Sequence, residues 1–392
     1  MEYKEYELGE LLYYEQPTPY IVESTDYNDA YETPVLTAGK SFILGYTDEK
    51  EGIYDQLPVI IFDDFTTASQ YVNFKFKVKS SAMKILTPVT ELVLPKYIYY
   101  RIQIIQFDHS THKRYWIQQY SKIRVSIPPI PEQERIVARI EELFSQLDAG
   151  VETLKKTKAQ LAVYRQAVLK EAFEGRLTQA FREENGLPDW KTISITQAIV
   201  QRKNALKAGP FGSALKKECY VPSGHKVYGQ EQVIANNENI GNYYIDEEKY
   251  QELISCAIAP HDILISLVGT VGKVLVLSDN CLPGIVNPRL IKVTLDEKIM
   301  MPYFFKYYFE SAYSKSLYKK KAHGATMDVL NMGMIKELPF PLCDIQEQGQ
   351  VIKEIESRLS VCDSIEQTVD TALQQAEAMR QSILKDAFEG RL

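Results

Sequence analysis

The side chains in this chain that could do chemistry gather in four cation-rich segments. Residues 201–217 carry Arg202, Lys203, Lys207, Lys216 and Lys217 without one acid, and residues 315–326 carry Lys315 and the run Lys319, Lys320 and Lys321. Residues 74–81 hold Lys75, Lys77 and Lys79, and residues 112–122 hold Lys113, Arg114 and Lys122. Hydroxyls, amides and aromatics are interleaved with these cations. Local clusters of this kind neutralise phosphates, and Arg, Asn, Gln, Ser and Thr add contacts to base edges. Nucleic-acid contacts are therefore expected at Lys40, Thr66, Thr67, Lys79, Ser81, Lys113 and Arg114 in the first half. In the second half they are expected at Arg202, Lys207, Ser213, Lys216, Lys217, Lys319, Lys320, Lys321 and Thr326.

Signals for bond-making chemistry are weaker. Gly269-Thr-Val-Gly-Lys273 has two residues between its glycines, where a phosphate-binding loop has four, so it reads as a turn between strands. Asn287-Pro288 is followed by Arg289 where an amino-methyltransferase motif has a second proline, so it reads as a turn into a strand. Asp63 and Asp64 lack a third acid or a lysine at nuclease spacing, and no Ser or Cys sits in a nucleophile motif. No catalytic residue and no metal ligand is expected.

Composition sets the class. The 392 residues exceed one ordinary domain, and 45% hydrophobic content with 26 Tyr is enough for real cores. The most apolar stretch, 263–271, is far shorter than the roughly twenty residues a membrane span needs. The opening Met1-Glu-Tyr-Lys-Glu5 has no apolar signal region, so a soluble, cytoplasmic protein is expected. The five cysteines (Cys219, Cys256, Cys281, Cys343 and Cys362) have no metal-ligand spacing and read as reduced thiols. The net charge of −7 has the wrong sign for a nucleic-acid partner. Acids concentrated elsewhere, as in 238–252, let basic loops coexist with it.

A repeat organises the elements that must position these loops. Glu171-Ala-Phe-Glu-Gly-Arg-Leu177 returns as Asp386-Ala-Phe-Glu-Gly-Arg-Leu392, and at this offset of 215 the match runs back to Glu132-Gln133 against Glu347-Gln348. Of those 46 aligned positions, 18 are identical, far above chance. Both copies are helical by period. Ile140, Leu147, Leu154, Leu161 and Val168 recur every seven residues in the first; Ile355, Cys362, Val369, Ala376 and Ile383 do so in the second, with Leu359 between. Pairing of the two seams is expected through Ile140, Leu147, Leu154, Leu161, Ile355, Leu359, Val369 and Ile383, although Lys158, Arg165, Glu366 and Arg380 interrupt them.

The blocks outside the repeat alternate with it and resemble each other only faintly. Both carry short β-type runs, such as Leu57-Pro-Val-Ile-Ile-Phe62 and His261-Asp-Ile-Leu-Ile-Ser266, and both have an aromatic helical run. The expected fold is α+β: two mixed globular domains separated by two long helices forming an antiparallel coiled coil with pseudo-twofold symmetry. About forty helical residues make a rod of roughly 60 Å. Two heads on such a spacer suit two separated half-sites on a duplex. The residues alone also fit a non-DNA coiled-coil scaffold with two ligand-binding globules.

With this architecture, Pro131-Glu-Gln-Glu-Arg-Ile136, Gly209-Pro-Phe-Gly-Ser213 and Asp262-Ile-Leu-Ile-Ser-Leu-Val-Gly269 followed by Gly272 are the quotable motifs. Through them the chain resembles, over its whole length, the specificity (S) subunits of type I restriction–modification systems. The first globule has no Gly-Pro-Phe-Gly-Ser, offering Thr37-Ala-Gly-Lys40 and Phe62-Asp-Asp-Phe-Thr-Thr67 instead, and Gly349 replaces Glu134 in the second helix opening. The resemblance implies target-recognition domains at 1–130 and 185–342 and conserved helical regions at 131–177 and 343–392. It implies a non-catalytic, sequence-specific double-stranded-DNA-binding subunit that assembles two methyltransferase (M) subunits and motor-nuclease (R) subunits. S-adenosylmethionine is then expected on the M subunits, with no cofactor on this chain.

Overall fold

The computed structural model describes residues 3–39, 41–107, 114–212, 214–268, 270–321 and 330–392, without the side chains of 318–321. It divides into two compact units, unit 1 comprising 1–155 and 370–392 and unit 2 comprising 156–369. Two helices of 44 residues pass through both: α3 (Ile130–Phe173) and α10 (Ile345–Phe388). Unit 1 is therefore discontinuous and unit 2 is one continuous stretch, and each is built from one globule and one part of each long helix.

In unit 1, β1 (Lys4–Glu7) pairs antiparallel with β9 (Arg124–Ile127), and α1 (Leu8–Leu11) follows β1. A four-stranded sheet has the order β2 (Leu12–Glu15), β8 (Met83–Pro88), β5 (Val59–Asp63), β6 (Ser69–Val72). A three-stranded sheet has the order β4 (Ile43–Thr47), β3 (Thr33–Leu36), β7 (Lys77–Val78), with β3 and β7 parallel. The run Val59–Phe62 is apolar at every position because the sheet is covered on both faces. Ile60 and Phe62 join the cluster of Tyr97, Ile98, Trp116 and Ile140, while Val59 and Ile61 join that of Leu36, Tyr54 and Phe76.

Unit 2 repeats this topology strand for strand. β10 (Lys191–Ser194) pairs with β18 (Pro339–Leu342). The four-stranded order is β11 (Leu206–Ala208), β17 (Leu290–Val293), β14 (Ile263–Ser266), β15 (Val274–Val276). The three-stranded order is β13 (Tyr244–Ile245), β12 (His225–Tyr228), β16 (Gly284–Val286), again with one parallel pair. Two globules that scarcely align as sequences thus share one scaffold. The aromatic runs are helices, α2 (Pro95–Ile102) in unit 1 and α7 (Pro302–Glu310) in unit 2, each opened by a proline whose missing N–H costs nothing there.

The long helices pack antiparallel in each unit, and the polar interruptions of their seams find one another. In unit 1 Arg380 pairs with Asp148, and in unit 2 Arg165 pairs with Asp363 (2.7 Å) and Glu366 (2.9 Å). Arg165 and Arg380, and likewise Asp148 and Asp363, are related by the offset of 215, so one ion pair is made twice. Ile140, Leu161, Ile355 and Val369 are buried; Leu147, Leu154, Leu359 and Ile383 are half-buried.

A second duplicated contact ties each long helix to its globule. Gln133 is fully buried; its Nε2 donates to Pro128 O (2.9 Å) and Leu92 O (3.0 Å), and its Oε1 accepts from Leu94 N–H (2.8 Å). Gln348, its repeat mate, donates to Cys343 O (3.0 Å) and Ile299 O (2.9 Å) and accepts from Met301 N–H (2.9 Å). Leu94 and Met301 are the N-cap residues of α2 and α7. One amide side chain thus satisfies an orphan N–H at a helix start and two carbonyls at once. The neighbouring repeat pair differs in surroundings. Glu347 is buried and accepts from Thr178 Oγ1 (2.7 Å) and Arg182 Nη1 (3.0 Å), whereas Glu132 is half-exposed and pairs with Arg135. Arg182 belongs to the short α4 (Gln179–Glu184), which follows α3.

At the far end of β14, His261 adopts φ +64°. Its Nδ1 donates to Glu297 Oε1 (2.7 Å) and its Nε2 to Asp279 Oδ1 (2.9 Å), which only the imidazolium can do at once. Glu297, followed by Asp279, raises its pKa above the ordinary histidine value. A raised folded-state pKa stabilises fully below the unfolded value of about 6.5, and that stability is lost as pH rises through the folded value. Solvent screening at this exposed site limits the effect to about 0.5 kcal/mol. His261→Asn, which tolerates the backbone angle, is expected to lower the melting temperature by about 1–2 °C at pH 6 and by less at pH 8.5. Thermal melts at the two pH values check this.

Candidate nucleic-acid interface

The same end of the scaffold collects polar loops in both units. In unit 1, Lys79 N–H donates to Leu36 O (3.1 Å), Asp64 N–H to Ala82 O (3.0 Å) and Tyr115 N–H to Asp64 O (2.9 Å). These bonds join the loops after β3, β5 and β7 to the segment that begins at Arg114. In unit 2, Asn287 N–H donates to Tyr228 O (2.9 Å), Leu267 N–H to Arg289 O (3.0 Å) and Leu330 N–H to Leu267 O (3.0 Å). Those are the same three bonds on the equivalent strands β12, β14 and β16.

The expected contact residues of unit 1 converge here. Thr66, Lys79, Ser81 and Arg114 are exposed and Thr67 is half-buried. Asp63 shapes the Thr66 turn, its Oδ1 accepting from the N–H groups of Phe65 (2.8 Å) and Thr66 (3.0 Å). Thr67 follows at φ +56°, a strained value for a β-branched residue. Asp64 is buried and accepts from Trp116 N–H (2.8 Å). Asp63 and Asp64 are thus turn and strut residues rather than a carboxylate pair facing solvent. Lys40 and Lys113 lie outside the described residues.

Beneath this cluster lies Lys84, a residue no sequence signal marked, at 0% exposure. Its Nζ donates to Ser81 O (2.9 Å) and Gln16 Oε1 (3.0 Å) and lies 3.6 Å from Asp64. Burial lowers its pKa while Asp64 opposes the shift. A buried cation of this kind fixes the loop above it instead of offering charge to a ligand. Lys77, within a segment read as basic, is also buried, donating to Glu51 O (2.7 Å) and pairing with Glu49 (2.8 Å). Lys75 pairs with Asp55, so Lys79 is the cation that this strand delivers to the loop end.

In unit 2 the segment 201–217 does not act as one patch, because β11 runs through its middle. Arg202 is exposed at the opposite end of the sheet, where its charge is felt by Asp262 and Lys292. Lys207 lies within β11 opposite Lys292 and is half-buried. The chain then reaches the loop end at Gly209, where a Cβ would lie 1.9 Å from Asn287 O; only glycine permits this approach. Phe211 follows at 75% exposure, and Lys216 and Lys217 are exposed beyond it. Ser213 and Thr326 lie outside the described residues, as do the side chains of Lys319, Lys320 and Lys321 at the end of α8 (Ala312–Lys321). The turn between β14 and β15 closes through Gly272 N–H to Ser266 O (3.0 Å) and is a strand connection. Gln230 and Arg289 reach the same loop end and were not expected there. Arg289 was visible as the residue that breaks a methyltransferase motif, but a linear reading gave no sign of its neighbours.

Similarity to known proteins agrees with this arrangement. A family model described as the type I restriction modification DNA specificity domain matches residues 1–162 and 211–375. The chain is 32% identical over 376 residues to the type I restriction enzyme EcoR124I/EcoR124II specificity subunit of Escherichia coli, covering 91% of this chain and 87% of that one. It is 26% identical over 281 residues to the StySPI specificity subunit of Salmonella potsdam, covering 70% of this chain and 58% of that relative's length. Its fold is similar to a chain of a type I R-M system solved for complex assembly and conformational transition, with TM-score 0.70, 14% identity and 100% and 98% coverage. The HsdS subunit of Thermoanaerobacter tengcongensis is similar at TM-score 0.53 and 14% identity, covering 100% of this chain and 97% of that one.

Proposed function

This chain belongs to the type I restriction–modification DNA specificity family, and we propose that it is the non-catalytic subunit that reads a bipartite site in double-stranded DNA, one half-site per unit. The observation that carries this reading is one strand scaffold built twice, with different polar side chains at the same loop end. A duplicated scaffold gives two equivalent docking geometries; the differing loops give two different sequences to read.

The partners we infer are two methyltransferase subunits, one per helical repeat, and the motor-nuclease subunits that join through the complex. S-adenosylmethionine belongs on the methyltransferase subunits, with the methyl transfer chemistry theirs. The compartment is the cytoplasm, where the DNA is. No helix among the described residues is long and apolar enough to cross a membrane.

Phosphate contact supplies affinity without sequence preference. Replacing Lys79 and Arg114 with Ala is expected to weaken binding of the assembled complex to all duplexes alike. The slope of log affinity against log salt should flatten by about 1–2. Lys319, Lys320 and Lys321 form the corresponding test in unit 2. Titrations at several salt concentrations check both variants, and unchanged slopes in both would place the DNA surface elsewhere.

A further inference from the structure

Gln230 and Arg289 stand at one corner of the unit 2 loop end, rooted in the buried end of β14. Ser266 is fully buried there, and its Oγ accepts from Gln230 Nε2 (2.9 Å), which also donates to Val268 O. With its amide nitrogen so anchored, Gln230 turns its Oε1 to Arg289, whose Nη1 lies 3.4 Å away. The arginine backbone is fixed as firmly. Asn287 Oδ1 accepts from Arg289 N–H (2.9 Å), Pro288 limits the turn, Gly209 presses behind it, and Arg289 O accepts from Leu267 N–H (3.0 Å). Arg289 is exposed, and no carboxylate lies within 4 Å of it among the described residues. Arg101, Arg114 and Arg202 likewise make no ion pair among the described residues, whereas Arg135, Arg139, Arg165, Arg176 and Arg380 do; what sets Arg289 apart is the Gln230 side chain behind its guanidinium.

The equivalent corner of unit 1 is built of alanines. Counting from Leu36 and Tyr228, which hold matching bonds to Lys79 and Asn287, Ala38 takes the place of Gln230. Counting from the bonds of Asp64 and Leu267, Ala82 takes the place of Arg289. One frame therefore carries a preset guanidinium in unit 2 and methyl groups in unit 1. A side chain that varies on a fixed frame, at the end where loops meet the ligand, sets specificity rather than stability.

We propose that Arg289 is a base-reading residue of unit 2 that selects guanine through its O6 and N7 acceptors, and that Gln230 is the positioning residue that aims it. The inference rests on the reading of the chain as a DNA specificity subunit and adds the base and the side chain. A planar guanidinium matches the two guanine acceptors, and no other base edge in the major groove offers that pair. Holding one terminal nitrogen from behind leaves the remaining donors to the ligand and removes the rotamer freedom that binding would otherwise cost.

The test uses the complete complex with Arg289→Ala, Arg289→Lys and Gln230→Ala, scored by selection from duplexes randomised over the whole site. Arg289→Ala is expected to lower the preference for guanine at one position of one half-site by about 10- to 100-fold. All other positions should keep their preferences. Arg289→Lys should retain part of the affinity and lose part of the discrimination, because an ammonium lacks the fork. Gln230→Ala should relax the same position by a smaller factor with an unchanged salt slope, which a merely structural role would not produce. A uniform loss of affinity with every base preference intact would make Arg289 a phosphate contact and overturn the proposal. Relaxation at a position that does not select guanine would overturn it too. A wild-type complex that selects no sequence would instead remove the specificity reading beneath it.

Discussion

Replacing Gln348 with Ala should destabilise unit 2 by about 2–4 kcal/mol. The side chain is fully buried and makes three hydrogen bonds, all to main chain: Cys343 O, Ile299 O and Met301 N–H. Alanine fills none of those valences, and a buried backbone group without a partner costs about 1–3 kcal/mol. Met301 N–H is the N-cap donor of α7, so the loss also unties the aromatic helix from α10. The melting transition is expected to fall by about 10 °C. Gln133→Ala should do the same in unit 1, since its three bonds are the repeat equivalents. Gln350→Ala is the control; that side chain bonds only Glu354 within its own helix and should change stability by less than about 0.5 kcal/mol. Denaturant melts of the three variants decide the matter.

Exchange of residues 185–340 for the second globule of another family member should change one half-site completely and leave the other untouched. The exchange is tolerated for a physical reason. The contacts that tie the globule to α10 include main-chain groups, at Ile299 and Met301 for Gln348. Main-chain partners survive a change of sequence when the scaffold is kept. The loop end that carries Gln230, Arg289 and Phe211 moves with the globule, whereas Lys79, Ser81 and Arg114 stay. Sequencing of methylated sites from the exchanged complex reads both halves at once. A simultaneous change in both would contradict the modular reading.

Some of this was open to a linear reading and some was not. Helical period and the offset of 215 expose α3 and α10, because a seam repeats side-chain types at fixed spacing. The breaks in that seam are legible as breaks, yet only the antiparallel pairing explains why Arg165 and Arg380 are acceptable there: Asp363, Glu366 and Asp148 meet them. The shared scaffold of the globules is hidden, because strand order and main-chain bonds do not require matching side chains. Lysine count misleads for a related reason. Lys77, Lys84 and Lys292 look like surface charge in sequence and are buried struts in the fold. The unbroken basic appearance of 201–217 fails because β11 sends its two flanks to opposite ends of the sheet. Glu132 and Glu347 show the limit of the repeat itself, since identical residues at identical positions meet different neighbours.

On the proposed function, this chain alone sets the address for its complex, through two readers. The direct measurement is methylome sequencing of cells that hold the methyltransferase subunits, with and without this chain. One bipartite motif is expected, with two different halves separated by a fixed number of unread base pairs, and only when the chain is present. The same methylated motif without the chain, or a single contiguous motif with it, would show that the address is set elsewhere.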